Sequence, residues 1–415
     1  MAPGGETGRG WNPPADASLA PATEPHYLRG MGETRQALVL GAGIMGLSAA
    51  WGLAGRGYAV TVLDQDPVPN PRGASHDHHR LIRHAYGAEA GYMRMVDQAY
   101  AAWDRLWREI GEVLYLPTGV LALADAPGGW LAASRATLLA GGHAPEALGE
   151  AEIAARFPML DAAGIADAFH MPAGGVLLAD RILAGLARLL TARGVRILRS
   201  RAAALDAERG CLRLEDGSER QADLLVVAAG PWAPRLVPGL AARVVPSRQV
   251  LVLLEPPPEH RATWAAAPML LDLAEDGGFY AVPPVAGTPL KIGDHRFSRR
   301  GDAEDDRDAT PAEAREILDF ARHRIRDLDT YRVVGARACY YDVTADEGFV
   351  VETPSPRCFV MSGFSGHGFK FGPLLGLALA RAAGDAALTR ALPTWAAGRA
   401  LPPPSLLPDL TRGAA

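Results

Sequence analysis

A chain of 415 residues exceeds the size at which a single core usually stops growing, so two domains are expected. The composition, 48% hydrophobic and 21% charged, is that of a globular enzyme, and a net charge of -5 gives no reason to expect nucleic acid or an acidic membrane as partner. Three cysteines (Cys211, Cys339 and Cys358) without metal-like spacing argue against a disulfide scaffold and fit a reducing cytoplasm.

Residues 1–35 are rich in Gly, Pro, Ala and Thr and lack the apolar core of a signal peptide, which predicts a disordered leader. No apolar run is long enough to cross a bilayer, so a cytoplasmic protein without a membrane partner is expected. The stretch "QALVLGAGIMGLSAAWGLAGRGYAVTVLDQD" then predicts a strand, a glycine turn, a helix and a second strand. Gly41, Gly43 and Gly46 form G-x-G-x-x-G, with Ile44 and Met45 inside the turn, and Asp64 follows Gly46 by 18 residues. The first glycine permits a tight turn, the second lets backbone approach a pyrophosphate, and the third lets helix and strand pack closely. The helix N-terminus then faces the phosphates and Asp64 the ribose hydroxyls, which suits FAD or NAD and disfavours a 2'-phosphate.

"GASHDHHRLIRHAYG" is dense in nitrogen donors: His76, His78, His79, Arg80, Arg83 and His84. No H-E-x-x-H pattern is present and an arginine among the ligands would repel a cation, so an anion site is preferred to a metal and no metal is expected. Arg80 and Arg83 are three apart, and on a helical turn they would share a face.

Further on, a helix ("DRILAGLARLLTARG") and a polar hairpin precede the apolar strand "ADLLVVAAGPWAP", which ends at Gly230. A third such unit, "CFVMSGFSGHGFKFGPLLGLALARAAGD", runs from strand through a loop with Gly366, His367 and Gly368 into a helix opened by Pro373. The expected fold is therefore α/β plus α+β. A discontinuous Rossmann-like nucleotide domain spans 36–114, 175–245 and 351–392, and a mixed antiparallel-sheet substrate domain spans 115–174 and 246–350. From Pro393, with "LPPPSLLP", an extended tail is expected over 393–415.

Of 42 basic residues only two are lysines, Lys291 and Lys370, and both lie in motif-like stretches, "GTPLKIGDH" and "SGFSGHGFKFGP". A chain that otherwise uses arginine is expected to keep lysine where a compact point charge with a movable pKa is needed. Cys339 sits in "GARACYYDVTADEGFVVETP", downstream of Arg337. Burial as an inert thiol is the commonest fate of a cysteine, whereas a nucleophilic thiolate would need its pKa lowered by nearby positive charge.

Five stretches in order, "VLGAGIMG", "SHDHHRLIRHAYG", "GGFYAVPP…LKIGDH", "CYYDVTADEGFVV" and "GFSGHGFKF", cover about residues 37 to 390. Together they resemble the monomeric sarcosine oxidase and N-methyltryptophan oxidase family, within the D-amino-acid-oxidase-like flavoproteins. The resemblance implies a glutathione-reductase-like FAD fold and a monomer. It implies that Cys339 binds the flavin 8α-methyl covalently as a thioether and that Lys291 activates dioxygen. It also implies that Arg83 and Lys370 hold the substrate carboxylate, that Tyr280 and His295 line the substrate cavity, and that Arg80 lies close to the flavin ring. Ser75 and the glycine-rich turns are implied cofactor contacts. One departure stands out: the family stretch commonly reads Ser-His-His-Gly-Asp-Thr before the first arginine, whereas Ser75 is followed by "HDHH", one residue shorter. No histidine role is carried over there.

The implied reaction is FAD-dependent oxidation of a secondary amine or cyclic imino acid bearing a carboxylate, with dioxygen as acceptor and hydrogen peroxide as product. The alternatives are an FAD-dependent amino-acid, opine or Amadori-compound oxidase or dehydrogenase with another electron acceptor.

Overall fold

A computed structural model describes residues 34–274 and 278–408; the expected leader up to residue 33 lies outside them. Two sheets organise the rest. β1 (Gln36–Leu40), exposed only at Gln36, is central to a six-stranded sheet. β2 (Ala59–Asp64) pairs with it on one side and the strand Leu224–Val227 on the other, both parallel. Arg196–Arg199 extends the sheet beyond β2 and Cys358–Ser362 beyond Leu224–Val227, again parallel; the edge strand Val350–Ser355 is antiparallel. Parallel strands covered on both faces need continuous apolar runs rather than alternation, and "ALVL", "LLVV" and "CFVM" supply them. α1 (Ile44–Ala54) returns the chain from β1 to β2 and packs against the helix Gly372–Ala382. Both helices are apolar nearly all round, as a helix buried on every side must be.

The second sheet has eight strands, antiparallel except where Met269–Asp272 pairs with Val120–Ala124. On one face the helix Pro311–Ala321 covers it, and Ile317 and Ala321 join Trp264, Phe279, Leu290 and Ile292 in a shared core. Alternation along the strands Phe279–Val282 and Leu290–Asp294 then sends Tyr280 and Lys291 to the opposite face. The polar hairpin forms a small three-stranded sheet over Ala202–Asp206, Cys211–Leu214 and Glu219–Gln221.

Two expectations fail here. Arg80 and Arg83 lie not on a helical turn but in β3 (Arg80–Arg83), paired antiparallel with Gly174–Leu177. Residues three apart on a strand point to opposite faces, so the two guanidiniums diverge. The segment 393–408 is not a free extended tail either: the helix Ala386–Ala396 continues through Pro393, and Leu406 and Leu407 are buried beyond it, while 409–415 lie outside the described residues. An interior proline costs a helix about 3 kcal/mol. Here the apolar stripe Leu388, Leu392 and Trp395 anchors the helix on both sides of it. Among the described residues, no helix is long and apolar enough to cross a membrane.

Candidate active site

A cavity of about 420 Å³ opens where β1 turns into α1. Gly41 has φ +103°, and a Cβ there would strike Ala228 O. A Cβ on Gly46 would overlap Gly41 O, so turn and helix meet backbone to backbone. Gly43, Ile44 and Met45 thereby put the positive end of α1 on the cavity wall. Ser75 joins from the following loop, its Oγ accepting the Ile44 N–H at 3.0 Å. Asp64 marks one end: Oδ2 accepts the Ala42 N–H at 2.7 Å and Oδ1 the Asn70 Nδ2–H at 2.8 Å, while burial pushes its pKa up. Oδ1 also accepts the Asp66 N–H at 3.1 Å, so of about four acceptor positions on a carboxylate one is left for a ribose hydroxyl. Gly230 lies on the cavity side, and Arg80, Tyr341, Gly366, Gly368 and Phe369 form the other end. A helix N-terminus for a pyrophosphate, an acid for a ribose and an aromatic far wall fit FAD.

At that far end one carboxylate gathers the charges. Asp77 is buried; its Oδ2 accepts from Lys291 Nζ at 2.7 Å and from Arg80 NH1 at 2.7 Å, and its Oδ1 accepts the His78 N–H at 2.7 Å. Lys291 Nζ also donates to His79 O at 2.9 Å, and Arg80 to His79 O and Ala74 O at 2.6 Å. Burial alone would raise the Asp77 pKa, but Lys291 and Arg80 hold it well below the usual carboxylate range. Two cations and one anion leave a net positive charge. His79 is neutral beside them, pushed down to about 2 by burial and by Lys291, with Nε2 hydrogen-bonded to Thr288 Oγ1. Sequence reasoning missed Asp77; its only signal was the acid inside "HDHH", where the chain departs from its relatives.

On the other face of β3 lies a second group. Lys370, 3% exposed, donates to Tyr86 OH and to His367 O, both at 2.8 Å. Its backbone is pinned by Trp103 Nε1–H, which donates to Lys370 O at 2.7 Å from α2 (Ala90–Ile110). Arg83 lies over the Tyr86 ring at 4.7 Å and the Trp130 ring at 5.3 Å, and its NH1 is bonded to Ala85 O. Burial first, then the Arg83 charge, push the Lys370 pKa well below the lysine range. His367 is likewise pushed well down by burial and by Lys370. Tyr86, another residue missed from sequence, joins both cations and lies 3.3 Å from His367 Nδ1. With Tyr92, Phe349 and Phe371 it forms an aromatic wall around His367.

The remaining positions fall between these groups. Cys339 is buried in the strand Arg332–Val343, on the same strand face as Tyr341 and opposite Tyr340, which turns to Asp305. Its thiol differs from the lowered pKa a thiolate needs: burial raises it, with Arg80, Arg337 and Lys291 pulling the other way. Lys291 Nζ lies 5.9 Å from the centre of the Tyr280 ring, and the exposed His295 ring is 5.9 Å from that of Tyr280. Gly366 has φ +72°, and a Cβ there would collide with Tyr341, so the loop presses flat against that ring.

The family of FAD dependent oxidoreductases (DAO) matches residues 36–382. The chain belongs to this family. As an FAD-dependent oxidoreductase acting on CH–NH donors, it resembles monomeric sarcosine oxidase of Bacillus sp. (strain B-0618), 28% identical over 83% of this chain and 91% of that protein. It also resembles N-methyl-L-tryptophan oxidase of Yersinia pestis (strain Pestoides F), 27% identical over 82% and 92%. The oxidoreductase shares its fold with fructosamine oxidase (Amadoriase II) from Aspergillus fumigatus, TM-score 0.73, 22% identity, 89% and 92% coverage. It does so too with L-proline dehydrogenase from P. horikoshii, TM-score 0.75, 21% identity, 89% and 98% coverage.

Proposed function

We propose that this oxidoreductase oxidises a secondary amine or cyclic imino acid bearing a carboxylate (of sarcosine, N-methyl amino acid or pipecolate type) to the imine. Dioxygen is the acceptor and hydrogen peroxide the product. The observation that carries the reading is Lys370: a buried amine bonded to a hydroxyl and a carbonyl, beside Arg83, with no carboxylate hydrogen-bonded to either among the described residues. Buried cations without an acid are costly, and an anionic ligand relieves the cost. The names of the relatives, sarcosine oxidase and N-methyl-L-tryptophan oxidase, support the same substrate class.

Gly41, Gly43, Ser75 and Asp64 would hold FAD, which would supply the two-electron oxidation of the α-C–H bond and the electrons for dioxygen. The chain's part is positional and electrostatic. Arg83 and Lys370 grip the carboxylate, and orientation of that kind is worth up to about 7–11 kcal/mol. Their positive charge also lowers the pKa of the substrate amine and keeps it neutral, with its lone pair free. The aromatic wall of Tyr86, Tyr92 and Phe349 excludes water. Across β3, Lys291 places an ammonium where negative charge develops on dioxygen, and Asp77 fixes its position. The turn ahead of the helix Gly372–Ala382 directs that helix N-terminus to the same end of the cavity.

Anaerobic mixing with sarcosine, N-methyltryptophan, L-pipecolate, L-proline and primary amino acids tests the reading. Bleaching of the visible flavin band by a secondary amine is expected; bleaching by primary amino acids alone would overturn it. Cys339 is proposed to hold FAD covalently. Acid precipitation of the wild-type protein should therefore leave flavin in the pellet, and Cys339→Ala should release it to the supernatant. Complete release from wild type defeats the covalent assignment.

A further inference from the structure

Away from the FAD cavity, three side chains from separate elements converge. His84 follows β3, Asp97 lies in α2, and His143 is in the loop after α3 (Gly129–Ala140). His84 Nε2 is 2.9 Å from Asp97 Oδ1, and His143 Nε2 is 3.4 Å from Asp97 Oδ2. The two imidazole centres are 4.3 Å apart, and the three ligand atoms lie within 4.8 Å of one another. We propose that His84, Asp97 and His143 form a binding site for a divalent cation of the zinc class.

The two edges that meet at Asp97 have the spacing of ligands around one ion. Nitrogen and oxygen donors about 2.0–2.2 Å from a metal stand about 2.9–3.5 Å apart at octahedral or tetrahedral angles. Both measured edges fall in that range. His143 Nε2 supplies the independent sign: it is buried and makes no hydrogen bond among the described residues, although a carboxylate oxygen is 3.4 Å away. Its nitrogen is within reach of the carboxylate without being aligned to it, as it would be if both atoms pointed to a shared centre. Two imidazoles with one carboxylate favour zinc, nickel or cobalt over magnesium or calcium, which prefer all-oxygen shells. Asp97 is 53% exposed on its side chain, leaving an open side for water to complete the shell. His84 Nδ1 has no acceptor, and stacking on Tyr100, with centres 5.5 Å apart and planes at 23°, orients the ring in its place.

The cation would clip β3, α2 and α3 together. α3 already reaches the same segment, with Gly87 N–H donating to Ser134 Oγ at 2.7 Å and Thr137 Oγ1–H to Gly87 O at 2.8 Å. That segment, 83–87, carries Arg83 and Tyr86, so the ion would stiffen the frame behind the carboxylate grip.

The test uses tag-free, FAD-loaded protein stripped with a chelator and dialysed against zinc chloride. Wild type should retain one zinc per chain by elemental analysis and melt several degrees higher with zinc than without. His143→Ala, a change on the solvent side of the cluster, should retain none above background and show no melting shift, and Asp97→Asn should behave likewise. Magnesium should leave all three unchanged. Zinc content and melting shift equal in wild type and both variants would overturn the site. So would no zinc in wild type, and the carboxylate would then only bridge two imidazoles.

Discussion

Lys370→Met should raise the KM for the amine, and its anaerobic dissociation constant, by about 30- to 5,000-fold. Truncating one partner of a buried charge-assisted contact costs about 2–5 kcal/mol, and each 1.4 kcal/mol is tenfold. The range is wide because Arg83 remains and retains part of the grip. The ammonium is held by Tyr86 OH and His367 O, which survive the change, so the fold should tolerate it. Removing a strongly desolvated charge also relieves a burial cost in the free enzyme. Titration separates this role from a structural one. A lysine whose pKa is depressed by burial and by Arg83 is protonated only below that lowered value. Carboxylate binding is then present at lower pH and lost as pH rises through it, giving kcat/KM an alkaline limb below the ordinary lysine range. Lys370→Arg stays protonated and should lose that limb. A wild-type profile flat through that region, with KM unchanged in Lys370→Met, would remove Lys370 from the substrate site.

The second large effect is expected at Lys291. Lys291→Met should slow the reaction of the reduced enzyme with dioxygen by about 10²- to 10³-fold, the usual scale for deleting a preorganised group that stabilises developing charge. Reduction by the amine should change only a few-fold, because the carboxylate grip lies on the other face of β3. Stopped-flow measurement of the two half-reactions decides: equal slowing of both defeats the assignment. The structure adds a requirement absent from the sequence. Lys291 is a partner of Asp77, so its removal leaves that buried carboxylate with Arg80 as its cation and the His78 N–H. The variant should therefore melt below wild type, and it must be assayed where it is still folded.

The nucleotide-binding unit was legible because its logic is local. Strand, glycine turn, helix and Asp64 lie within one short stretch, and each residue there has a neighbour in sequence that explains it. Lys291 and Lys370 stood out by rarity alone. What stayed hidden was partnership across distance. Asp77 and Lys291 are 214 residues apart, and Lys370 and Tyr86 are 284 apart, so neither pairing leaves a spacing to read. The direction of Arg80 and Arg83 was misread because a four-residue stretch takes its conformation from its partner strand rather than from its own periodicity. Pro393 misled for a related reason: local propensity favours a break, and the burial of Trp395 and Leu392 overrides it.

The strand character of β3 has one more consequence. Side-chain parity along a strand makes this short segment a two-sided divider, with Arg80 toward the cavity and Arg83 toward Tyr86 and Trp130. Its phase is set by pairing with Gly174–Leu177, where Arg80 faces Leu177 and Arg83 faces Gly174. A slip of a single position would exchange the two rooms for every side chain on the divider. The loop just ahead of it can therefore change in length only where the slack is absorbed before Arg80.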